Sequence, residues 1–263
     1  MKKVTKFLIT LTSVGSIVLI ATLNASQLAV VGQPIPEVDG KPPTVPGGPR
    51  FIPPTEGILE DSGPPPSQLR RAVRGGCASI SQLGLTALVP QNKIGLTVSE
   101  YPTFFFYLPQ TEAESAEFIL QDQSGKQIYK QDLTISNLLG VIGVSIPANK
   151  NVPPLEVGQS YTWNFTVICD AQDRSADQIE IGTVRRVELS ADIRRQLDQA
   201  NPRQKTVIYA GNGIWQDALS TLAAARRDQP NDTALKADWE SLLDSVTLGK
   251  IAKEPIVQTK PQP

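Results

Sequence analysis

The sequence contains no histidine. That absence excludes Ser-His-Asp and Cys-His nucleophilic machinery, His-ligated zinc, and proton relays that depend on a group titrating near neutrality. Carboxylate pairs, Ser-Lys dyads and oxygen-ligand metal sites are the catalytic options left. No catalytic motif, cofactor-binding motif or metal-ligand pattern stands out, so enzymatic activity is not expected. Cysteine is almost as scarce: only Cys77 and Cys169 occur. With none before Cys77, a lipid-anchored N-terminal cysteine is excluded. A surplus of positive charge is lacking too, with 25 basic residues against 26 acidic. Nucleic acid and anionic membranes select for surplus cations, so neither is an expected partner.

What is present begins with an export pattern. Met1-Lys2-Lys3 is a cationic start, Phe7 to Leu23 is apolar and uncharged, and small residues follow at Asn24-Ala25-Ser26. The apolar stretch is 17 residues long and is diluted by Thr10, Thr12, Ser13, Gly15 and Ser16. It lies at the short end of what spans a bilayer, which favours cleavage over a permanent anchor. Residues 1–26 are therefore expected to be a signal peptide, with no stable membrane insertion after its removal. The expected location is periplasmic or extracellular.

Residues 27–68 read as a disordered, proline-rich leader. Gly32 to Pro66 holds 11 prolines in 35 residues. Proline lacks the amide hydrogen and fixes φ, so a polyproline-II spacer is expected in place of helix or central strand.

From 69 to 189 short apolar runs alternate with turn residues. Strands are predicted near 85–89, 94–98, 103–108, 115–122, 126–134, 141–147, 159–169 and 178–189. Phe118 to Tyr129 reads as a hairpin turning at Ser124-Gly125. In Tyr161-Thr-Trp-Asn-Phe-Thr-Val-Ile-Cys169 the apolar residues alternate, which places Tyr161, Trp163, Phe165, Val167 and Cys169 on one inner face. Thr103-Phe-Phe-Phe-Tyr-Leu108 does not alternate, so both of its faces need cover. From Ser190 the period becomes helical, with caps at Ser190, at Asn201 before Pro202, at Asn212, and at Asn231 or Asp232. The fold class expected is mainly β with a C-terminal α part (α+β). It comprises an antiparallel Ig-like β-sandwich of about seven or eight strands and a small helical region over 190–249 packed on it. Residues 250–263 read as a disordered tail.

Cys77 and Cys169 are expected to pair as a disulfide, since two cysteines in an exported chain usually do. Two buried free thiols are the competing reading. Asp170, Asp173, Asp177 and Glu180 crowd one loop, but they lack the spacing and central glycine of an EF-hand, and a solvated acidic turn is the simpler account. The pairs Arg70-Arg71, Arg185-Arg186, Arg194-Arg195 and Arg226-Arg227 read as surface ion-pair formers. Ala218, Leu222, Ala225 and Pro230, with Tyr209, have the spacing of half a tetratricopeptide repeat. An accidental helix pair explains that spacing equally well, because such hairpins need stacked neighbours.

Several blocks together carry a family resemblance: Arg74-Gly-Gly-Cys77, Thr97 through Pro109, Tyr161 through Asp170, Trp215-Gln-Asp-Ala-Leu219, and Asp238-Trp-Glu-Ser-Leu-Leu243. From about Arg71 to Leu248 the chain resembles the cyanobacterial family catalogued as domain of unknown function 928. The resemblance implies export into a Gram-negative envelope and the same paired cysteines; it supplies no catalytic residues. The expectation is an exported envelope protein acting as a non-enzymatic binding or assembly module, its partner another envelope protein or a wall component. The alternative is a carboxylate-dependent glycan hydrolase, for which Glu100, Asp122, Glu156 and Asp170 are available.

Overall fold

The computed structural model describes residues 47–54, 77, 83–149, 151–258 and 260–261. The expected signal segment, the leader residues 27–46 and 55–68, Arg70-Arg71 and Gly75-Gly76 lie outside the described residues.

Eight strands follow the apolar runs: β1 (Thr86–Ala87), β2 (Ile94–Thr97), β3 (Thr103–Leu108), β4 (Ser115–Gln121), β5 (Gln127–Thr134), β6 (Gly140–Ser145), β7 (Ser160–Ile168) and β8 (Gln178–Arg186). The helices are α1 (Ala191–Gln199), α2 (Pro202–Gly211), α3 (Trp215–Asp228) and α4 (Thr233–Asp244). The protein is, among the described residues, mainly β with four C-terminal helices, an α+β fold. Among the described residues no helix is long and apolar enough to cross a membrane.

Alternation decides the inner faces. Ala116, Phe118 and Leu120 of β4 and Tyr161, Trp163, Phe165 and Val167 of β7 are buried, with less buried residues between them. They belong to one core with Phe104, Phe106 and Leu108 of β3. Phe106 stacks on Phe165 with ring centroids 4.1 Å apart, and Phe104 meets Phe118 at 4.9 Å. The other residues of the unbroken run, Phe105 and Tyr107, point the opposite way. They join a second core with Leu88, Val141 and the buried faces of α3 and α4. β3 is thus apolar throughout because a sheet covers one of its faces and helices the other. Trp215 ties the layers together: it is fully buried and its Nε1 donates to the Leu88 carbonyl at 2.8 Å.

Caps fix most helix starts. The Ser190 hydroxyl accepts from the Ile193 amide, and Asn201 and Gln204 form a reciprocal capping box ahead of Pro202. Asp232 accepts from the Ala234 and Leu235 amides. Asn212 departs from expectation. It ends α2, its side-chain amide donating to the Ile208 carbonyl at 2.7 Å, and α3 begins after Ile214 with no side-chain cap.

Three expectations need correction. The sandwich is not antiparallel throughout: β2 joins β8 in parallel, and β9 (Ile256–Val257) joins β6 in parallel. Alternation tells which face of a strand is buried, but it reads the same in either chain direction. The residues expected to form a disordered tail are partly structured. Ile251 and Ala252 are buried in a short 3-10 turn (Ile251–Lys253), β9 follows, and β10 (Lys260–Pro261) pairs with β5. Among the described residues the sheets are therefore β1-β3-β6-β9 and β10-β5-β4-β7-β8-β2, ten strands where about seven or eight were expected. Two-residue strands are too short to carry a period.

The third correction concerns the leader, of which residues 47–54 are docked. The Ser241 hydroxyl donates to the Gly47 and Pro49 carbonyls, the Phe51 amide donates to Ser245 Oγ at 3.0 Å, and the Ile52 amide to the Ala210 carbonyl at 3.0 Å. An extended, proline-containing segment has no internal backbone bonds, so its polar groups are free to pair with the helices.

Candidate functional site

The face of α3 turned to the four-stranded sheet changes character along its length. Trp215, Leu219 and Leu222 are fully buried in the core that they share with Phe105 and Tyr107 of β3. Beyond them stand Ser220, Ala223 and Ala224, opposite Thr103, Phe105, Gly143 and Ser145 of β3 and β6. Small side chains on both walls leave a cleft of about 620 Å³, closed at one side by Ile256 and Val257 of β9. That volume lies in the range that holds small ligands. The floor is apolar at Phe105, and the hydroxyls of Thr103 and Ser145 bond one another at 2.8 Å.

The ends of α3 set the charge of the cleft. Helices favour an acid in the first turn and bases in the last, and α3 has Asp217 at its start and Arg226 and Arg227 at its end. Arg226 and Arg227 line the cleft, with the Arg226 guanidinium 5.2 Å from the centre of the Trp239 ring.

At the other end a recess of about 90 Å³ opens beside the cleft, sharing Thr103 and Ser220 with it. Its walls are the β2–β3 connection and the first turn of α3. Side chains build that connection: the Ser99 amide donates to Thr97 Oγ1 at 3.0 Å and the Tyr101 amide to Ser99 Oγ at 3.1 Å. One oxygen of Asp217 accepts from the Thr97 hydroxyl at 2.8 Å and the Val98 amide at 3.0 Å. Burial pushes the Asp217 carboxyl above its ordinary value, and the Thr97 hydrogen bond opposes that rise. Next to it, Gln216 is 1% exposed, and among the described residues neither its amide nitrogen nor its amide oxygen has a hydrogen-bond partner. Buried amides are rarely left so, because each unpaired group forfeits its hydration.

The carboxylates singled out in the sequence lie elsewhere. Glu100 faces Arg186 at 3.2 Å, and Glu156 is exposed in the turn before β7. Asp122 organises the β4–β5 turn, and the Ser124 hydroxyl holds it below the ordinary carboxylate value. Asp170 accepts from the Gln172 amide at 2.8 Å. None of the four lines the cleft. The acidic loop is likewise dispersed. Asp173 caps a 3-10 turn, Asp177 meets Arg174 and the Cys169 amide, and Glu180 meets Lys93 at 2.7 Å. Among the described residues no group of three or more Cys, Asp and Glu side chains gathers as a metal site.

Cys77 and Cys169 stand at disulfide distance, with Cα atoms 5.1 Å apart. Cys169 follows β7 directly and Cys77 packs against the sandwich core. The pair lies outside the cleft. The site residues not foreseen are Gln216 and Asp217. Both fall in the Trp215-Gln-Asp-Ala-Leu219 block, which was the available signal.

The fold is an α+β arrangement of two β-sheets and C-terminal helices, with a polar-ended groove between α3 and the four-stranded sheet. The chain belongs to the family described as Domain of Unknown Function (DUF928), which it matches over residues 70–256. No curated protein matches it.

Proposed function

We propose that the protein is an exported envelope component that works by binding, with the cleft under α3 receiving another envelope protein or a wall component. The observation that carries this reading is the make-up of the cleft: an apolar floor, one acidic end and one basic end. Asp217 is the one carboxylate among its described lining residues, whereas glycan hydrolysis by carboxylates takes two, spaced ~5–10 Å apart. The Cys77–Cys169 pairing fits an oxidising compartment, in keeping with the lysine-led apolar N-terminus and a periplasmic or extracellular location. A tetratricopeptide-like helical region belongs to the same reading, supported by Ala218, Leu222 and Ala225 buried in the α3 packing. So does an Ig-like sandwich, supported by Trp163 buried between the sheets.

The test is retention of envelope components on immobilised protein. Ala224, half-buried in the cleft wall, is replaced by tryptophan to fill the groove. Material held by the parent and lost by Ala224→Trp supports the reading. Release of reducing sugar from envelope glycan by the parent, abolished in Asp217→Asn, would overturn it in favour of a hydrolase.

A further inference from the structure

The polarity of the cleft specifies a class of ligand. Asp217 in the first turn of α3 and Arg226 and Arg227 in its last turn are nine and ten residues apart, a rise of about 14–15 Å along the helix axis at 1.5 Å per residue. A ligand that satisfies both ends carries a cationic or donor group near Asp217 and an anionic group near Arg226 and Arg227. An extended peptide rises about 3.3 Å per residue, so four or five residues span that distance. The Gln216 amide, without a partner among the described residues, favours a ligand that carries both a donor and an acceptor, as a peptide unit does. Its free N–H and C=O are the complement of a backbone C=O and N–H. The recess around it is about 90 Å³, roughly three water volumes, enough for an ammonium group and a small side chain. Beyond it the cleft widens over Phe105, Ala223 and Val257, where short apolar side chains fit.

We infer that the cleft binds a short extended peptide of four to five small residues with free termini, its amino group at Asp217 and Gln216 and its carboxylate at Arg226 and Arg227. The inference rests on the binding reading above and narrows its ligand. Deprotonated Asp217 offers the oxygen not engaged by Thr97 and Val98 to the ammonium group. Gln216 pairs with the first peptide unit, and the arginines hold the far carboxylate through charge-assisted bonds.

Isotope-labelled full-length protein is titrated with tetra-alanine, N-acetyl-tetra-alanine and tetra-alanine amide by NMR. The free peptide should saturate shifts of the Gln216 side-chain amide and the Arg226 guanidinium. Blocking either terminus should weaken binding roughly tenfold or more, the weight of one charge-assisted contact. In Asp217→Asn the penalty for acetylation should vanish while that for amidation persists; Arg226→Gln with Arg227→Gln should reverse the pattern. Saturable binding indifferent to both caps, binding that survives Ala224→Trp, or no saturable shift with any of the three peptides overturns the inference. If the peptides fail while Ala224→Trp still loses its envelope partner, the peptide assignment falls and the binding reading stands. If both fail, the binding reading falls as well.

Discussion

Phe51 stands edge-on to Trp215, with ring centroids 5.3 Å apart and planes at 85°. The contact joins a proline-rich segment to the tryptophan that also bonds the Leu88 carbonyl, so residues 47–54 belong to the folded body. Phe51 is half-buried, which limits the area lost on truncation. Phe51→Ala should lower stability by about 1–3 kcal/mol in urea denaturation, combining lost apolar area with a lost edge-to-face pair. Hydrogen exchange at the Ile52 amide should quicken as its bond to Ala210 loosens. An unchanged midpoint would mean that the docked segment contributes nothing to stability.

The cysteine pair closes a loop with a sequence separation of 92. In the chain-entropy account a loop of that size contributes roughly 4–5 kcal/mol by restricting the unfolded chain. Peptide mapping without reductant should recover a Cys77–Cys169 cross-link. Cys77→Ser with Cys169→Ser should cut stability by an amount of that order. Two thiols that alkylate in the folded protein would refute the pairing.

How far these features could be read from sequence depends on which had a period. Tyr161 to Val167 alternates, and its inner face was evident. The unbroken Phe104 to Leu108 run implied a second cover, which α3 and α4 supply. Ser190, Asn201 and Asp232 announced helix starts because caps act locally. Nothing local marks β9 or β10, whose two residues pair across the chain. Phe51 was hidden by its prolines, although a lone aromatic in such a stretch is an anchor in waiting. Asp217 reads as an ordinary first-turn acid. Its burial depends on the Thr97–Tyr101 connection folding back over it, a long-range fact that spacing does not encode.

Asp217 makes stability depend on pH in a direction opposite to most acids. Its folded-state value is raised, so between the ordinary value of 3.8 and that higher value the folded protein holds more protons than the unfolded chain. Stability therefore falls as pH rises through that window. Asp217→Asn keeps an oxygen for Thr97 and Val98 and removes the titration. The variant should match the parent near the bottom of the window and exceed it at pH 7. Denaturation curves at several pH values give the comparison; a parent that gains stability relative to Asp217→Asn as pH rises would reverse the assignment.

Gly140 opens β6 at φ +126°, a backbone angle that side-chain-bearing residues rarely adopt. A Cβ built there would also collide with the Pro255 carbonyl. That carbonyl accepts from the Val141 amide at 2.7 Å, and the bond sets the register in which Val141 faces Ile256 and Ile142 faces Val257. Ile256 and Val257 are in turn a wall of the cleft. Gly140→Ala therefore strains the backbone and displaces the strand that closes the groove. The strain should cost on the order of 1–3 kcal/mol. Because β9 is the sheet's edge, its release should precede global unfolding. The Val141 amide should lose exchange protection, and limited proteolysis should cut near Pro255 under conditions where the parent resists. The cleft would then open on one side, so Gly140→Ala should also weaken whatever the Ala224→Trp comparison identifies as bound there. A variant that keeps Val141 protection and full retention would mean that β9 is held by contacts other than this register.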